Sequence, residues 1–94
     1  MGFALLLCEV YYPKQQTVAV GVTVRDTSNQ PTHLEIQRDF VAHHDGKTWL
    51  PIGVVYRDKE KGSALIEFPV EAWSGAHRIW VPLTSLLEPR GDPA

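Results

Sequence analysis

Four histidines, one cysteine and a scatter of serines and carboxylates are the side chains that could do chemistry in this sequence, and their spacing argues against each use in turn. His43 and His44 are adjacent, and neighbours in an extended strand point to opposite faces, so the two do not converge simply on one metal. A site joining either of them to His77 is geometrically open, but no carboxylate near them has a recognised ligand spacing. The four, His33 included, read as ordinary surface histidines, and neither a metal nor another cofactor is expected. Cys8 lies within an apolar run, where a thiol packs and stays protonated. Ser63, Ser74 and Ser85 fall in turns without the context of a nucleophile elbow. Asp39, Asp45, Asp58 and Glu60 read as turn and loop carboxylates, and the glycines are scattered singly, so no phosphate-cradling loop is present. No catalytic residue is assigned; an enzyme built from this chain would need its site between subunits.

The aromatic residues carry a stronger signal. Trp49 and Trp80 fall on the strand parity opposite to their aliphatic neighbours, which points them away from the core, and Trp73 lies in a loop by composition. Exposed tryptophans bury much area at little entropic cost when they meet a partner. Covering the ends or the outer face of the fold is the other use such residues have. A third possibility is a stacking face for single-stranded nucleic acid, with Trp49, Tyr56 and Trp80 as platforms and Lys47, Arg57 and Arg78 on the phosphates. The net charge of -2 disfavours it, because polyanion binding relies on excess cations.

These side chains need a scaffold. Ninety-four residues is one domain's length, and 44% hydrophobic against 21% charged residues is the composition of a folding globular chain. Cys8, being alone, excludes an intramolecular disulfide and fits a reducing compartment. The apolar segment Phe3 to Cys8 is too short to span a membrane as a helix and lacks the layout of a secretory signal, so a buried strand in a cytoplasmic protein is expected.

Strand periodicity recurs along the chain. Val18, Val20, Val22 and Val24 alternate with smaller or polar residues, the pattern of a strand with one apolar face. Gly21 in its middle predicts a bend or a close backbone approach. Phe3 to Tyr12 is apolar on both parities, as a strand covered on both faces would be, and a subunit interface is one candidate for the second cover. Pro13 to Gln16 should close a hairpin between these two strands.

Asp26 to Pro31 has loop composition. Residues 33–44 admit a helix capped by Thr32 and Glu35 or a strand. The strand places Leu34, Ile36, Phe40 and Ala42 on one parity with a bulge near Arg38 and Asp39, whereas the helix has no single apolar stripe. Asp45-Gly46 has the signature of a type I′ hairpin turn.

Beyond it, Leu50, Ile52, Val54 and Tyr56 alternate with Trp49, Pro51, Gly53 and Val55, with Pro51 signalling an edge or a bulge. Asp58 to Gly62 is a charged turn, after which Ala64, Ile66 and Phe68 form the return strand. Ser74-Gly75 marks a turn before a short strand from His77, with Ile79 and Val81 facing inward. Residues 84–87 are expected to form one 3₁₀ turn, closing a domain of residues 1–88 with a frayed tail at 89–94.

The stretch Gly75-Ala76-His77-Arg78-Ile79-Trp80-Val81-Pro82-Leu83-Thr84-Ser85-Leu86-Leu87 resembles the closing segment of SH3-like small barrels: a glycine-led short strand, a proline, a one-turn 3₁₀ helix and a final hydrophobic strand. The resemblance implies a single antiparallel β-barrel or meander of five to six strands. Tyr11 and Tyr12 sit where a peptide-binding SH3 domain carries its tyrosine pair, but no acidic loop follows them, so the fold alone is implied. The expected function is a non-enzymatic binding or assembly module. It would self-associate or dock a protein through Phe3, Leu5, Leu7, Trp49, Tyr56, Trp73 and Trp80. A small-ligand or enzymatic barrel with its site between subunits is the alternative.

Overall fold

The computed structural model describes residues 2–12 and 18–88, and they form a curled antiparallel sheet of eight strands. The strands are β1 (Gly2–Tyr11), β2 (Ala19–Arg25), β3 (Pro31–Gln37), β4 (Ala42–His44), β5 (Lys47–Asp58), β6 (Ser63–Glu67), β7 (Arg78–Pro82) and β8 (Leu86–Leu87). Two 3₁₀ turns, Arg38–Phe40 and Leu83–Ser85, interrupt them. The main path runs β3-β2-β1-β5-β6-β7, with β4 added on β5 and β8 on β1. The two strands beyond the expected five or six are the short β4 and β8.

β1 organises the sheet. One edge of its N-terminal part pairs with β5, from Gly2↔Val54 to Cys8↔Thr48. Its other edge takes β8 at Leu5 and Leu6 and then β2 from Glu9 to Tyr11. The two ends of the described chain therefore meet on β1, and the sheet curls around a single core. Backbone bonds from Thr27 N–H to Trp80 O and from Trp73 N–H to His33 O, 3.0 and 2.9 Å, tie the outermost strands to loops.

The period-two reading holds where strands are regular. Ala4, Leu6 and Cys8 of β1, Val20, Val22 and Val24 of β2, Leu50, Ile52 and Val54 of β5, and Ala64 and Ile66 of β6 form one buried cluster. Asp45 and Gly46 both have positive φ, 55° and 74°, as the type I′ turn requires. Asp26 closes its loop by accepting the N–H groups of Ser28 and Gln30 on Oδ1.

Four local expectations are corrected. Val18 precedes β2 and is 74% exposed, so the apolar face starts at Val20. Residues 33–44 are extended, but the 3₁₀ turn at Arg38–Phe40 shifts the phase there: Leu34 and Ile36 are buried, whereas Phe40 is 44% exposed and Val41 takes the inward place. Pro51 sits at a local edge of β5, one of its two expected roles. It falls between the last residue paired with β4, Trp49, and the first paired with β6, Gly53, so its missing N–H breaks no bond on that side. The bulge lies instead between Val54 and Tyr56, and it turns Tyr56 off the buried parity to the outer face. The 3₁₀ turn expected at 84–87 occupies Leu83–Ser85, leaving Leu86 and Leu87 to pair with β1. The proposed loop at Pro13 to Gln16 and the tail at 89–94 lie outside the described residues.

Candidate apolar docking face

The outer face of the sheet is built by the odd-numbered side of β1 and its neighbours in register. Leu7 lies opposite Trp49, Leu5 stands between Leu87 and Pro51, and Phe3 stands opposite Gly53, which in turn meets Glu67. Beyond the bulge, Tyr56, Leu65 and Trp80 continue the same face. Three β1 side chains that the sequence singled out, Phe3, Leu5 and Leu7, are thus brought together. Phe3 is 78% exposed and Leu7 40%. The second cover expected for this strand is not supplied by the chain's own described residues.

Two concavities flank Phe3. An open groove of about 490 Å³ is lined by Phe3, Leu5, Pro51 and Leu87, with His44 and Glu88 also on its walls. On the other side a smaller pocket of about 210 Å³ lies among Phe3, Phe40, Pro51, Gly53, Phe68 and Pro69. Phe40 and Pro69 extend this apolar surface to Val70. Phe40 was not among the expected docking residues; its strand parity pointed inward, and only the 3₁₀ turn exposes it.

The tryptophans separate into three environments. Trp49 is buried, and its indole Nε1 donates to the His44 carbonyl oxygen at 3.1 Å along the β4–β5 hairpin, so it is a covering residue and not an exposed anchor. Trp80 packs edge-on against Tyr56, with centroids 6.2 Å apart and planes at 84°. Trp73 stands apart, tilted against the His33 ring at 5.8 Å. Trp49-Leu50-Pro51-Ile52 and Trp80-Val81-Pro82-Leu83, two stretches of one residue pattern, thus place their tryptophans in different surroundings.

Two arginines near this face are paired internally. Arg78 Nε donates to Glu67 Oε1 at 2.9 Å, and Arg57 forms an ion pair with Glu88. Of the groups drawn as a stacking platform for nucleic acid, Tyr56 and Trp80 come together, Trp49 is buried, and Arg57 and Arg78 are ion-paired.

Burial pushes the Cys8 thiol up to about 11, the Glu9 charge adding to the effect and a Thr48 hydrogen bond opposing it. A thiol so protonated is no nucleophile at neutral pH. His44 lies 3.2 Å from Asp45, His77 3.9 Å from Glu71, and His33 shares a hydrogen bond with Thr23. Among the described residues no group of three or more His, Cys, Asp or Glu side chains could hold a metal ion, and no helix is long and apolar enough to cross a membrane. Comparisons with protein-family profiles, with curated proteins and with solved structures find no match.

Proposed function

We propose that this chain is a non-enzymatic docking module that meets a protein through the outer face of its sheet. The observation that carries this reading is the continuity of Phe3, Leu5, Pro51 and Leu87 around one open apolar groove, with Phe3 78% exposed. A phenyl ring left in water on the face of a sheet forgoes about 2 kcal/mol of burial, a cost that a covering partner removes. The reading includes an SH3-like barrel, supported by the 3₁₀ turn at Leu83–Ser85 and the return of Leu86–Leu87 to β1.

The test is a photo-cross-linking residue placed at Leu7, on the edge of the face, with the same residue at exposed Glu35 as control. A discrete adduct from Leu7 that disappears with Leu5→Glu is the expected result. No adduct above the Glu35 control, or one indifferent to Leu5→Glu, overturns the proposal.

A further inference from the structure

We infer that the occupant of this face is a second copy of the chain, seated so that Phe3 of each copy enters the small pocket of the other. The inference rests on the docking reading above and names its partner. Its basis is self-complementarity: the most exposed large apolar side chain of the described residues stands directly beside a hole of its own size. Phe3 is 78% exposed, and the neighbouring pocket measures about 210 Å³. A cavity of roughly 150 Å³ accepts benzene, so this open pocket has room for one phenyl ring.

The walls suit such a guest. Phe40, Phe68, Pro51 and Pro69 are apolar, and Gly53 contributes no side chain to the floor. Because knob and hole are neighbours on one face, a two-fold axis lying in the interface and passing between them exchanges them. Each ring then meets the other's pocket, as an isologous contact requires.

Area and charge agree with a second copy. Ring side chains carry about 150–250 Å² each, so Phe3, Phe40, Tyr56 and Trp80 leave roughly 400 Å² uncovered at their exposures of 78, 44, 58 and 39%. Leu5, Leu7, Leu65, Val70 and Leu87 bring the face close to the ~800 Å² per partner of a standard interface. Glu67, the one charged residue lining the pocket, is already bonded to Arg78 at 2.9 Å, so the face presents no unpaired charge there to repel its copy.

The experiment is sedimentation of the full chain from micromolar to millimolar concentration, for wild type, Phe3→Ala and Gly53→Val. Wild type is expected to be a dimer. Phe3→Ala should weaken the dimer by roughly a thousandfold, since two buried rings are lost per pair. Gly53→Val, which fills the floor with a side chain favoured in strands, should weaken it as well, with circular dichroism unchanged in both. An equimolar mixture of the two variants restores one ring-in-pocket contact and should associate more tightly than either alone. A wild-type chain that stays monomeric, or a dimer unmoved by Phe3→Ala, overturns the inference. If the Leu7 cross-link then yields a Leu5-dependent adduct heavier or lighter than twice the chain, docking stands and self-association alone has failed.

Discussion

The Tyr11 ring lies across Gly21, its cross-strand partner, so closely that a Cβ added at Gly21 would stand 2.3 Å from Tyr11 Cε1. The glycine that interrupts the valine pattern of β2 is thus the seat of an aromatic ring, which shields a backbone position that carries no side chain of its own. Gly21→Ala should displace the ring and destabilise the fold by about 1 kcal/mol, although alanine is the better strand former. In a Tyr11→Ala background the same substitution should cost nothing or stabilise slightly, a coupling that a double-mutant cycle in urea measures directly. Equal cost in both backgrounds would show that the ring does not occupy that place.

The phase shift at Arg38–Phe40 makes two similar residues unequal. Leu34 is fully buried and Phe40 is 44% exposed. Leu34→Ala should therefore cost about 2–5 kcal/mol, while Phe40→Ala costs under about 1 kcal/mol despite the larger deletion. Denaturant melts of the two variants decide this, provided they are run at concentrations low enough to keep the chain monomeric.

The tryptophans should report their environments separately. In variants retaining one tryptophan each, acrylamide quenching should rank Trp73 first, Trp80 second and Trp49 last, following exposures of 62, 39 and 9%. Trp49→Phe should also cost about 1 kcal/mol, because the His44 carbonyl loses its donor. Efficient quenching of Trp49 in the native state would contradict its covering role.

Stability should fall at alkaline pH through Cys8. The folded chain holds this thiol's proton up to about pH 11, whereas the unfolded chain releases it near the ordinary value of 9.0. Between those values the native state binds more protons, so the contribution is complete below pH 9 and is lost as pH rises toward 11, by on the order of 2 kcal/mol. Cys8→Ala should lack this part of the alkaline slope in a series of melts. Rapid native-state reaction with a thiol reagent at pH 8 would contradict it.

Much of the fold was legible because strand periodicity is written in side chains that alternate regardless of long-range context. Val20 to Val24, Leu50 to Val54 and Ala64 to Ile66 needed only their neighbours to be placed. What failed was phase. One 3₁₀ turn moved Phe40 outward, and one bulge moved Tyr56, because a single extra residue reverses every later side chain.

The candidate face was half legible. Phe3, Leu5 and Leu7 were apparent from a strand apolar on both parities. Leu87, Pro51 and Phe40 join them only through pairing between distant segments and through the turn at Arg38–Phe40, which the sequence marked as a bulge near Arg38 and Asp39 without giving its effect on Phe40. Trp49 misled because parity tells which side a residue takes and not whether a hairpin carbonyl waits there to cover it.

The division of β1 between two sets of partners has a consequence for biosynthesis. Its leucines leave the ribosome long before β8 does, yet the backbone groups of Leu5 and Leu6 wait for Leu87 and Leu86, among the last described residues to be made. Until then the greasiest segment of the chain has an unfinished edge beside its uncovered outer face, so a nascent chain halted before β8 should be the form that chaperones hold.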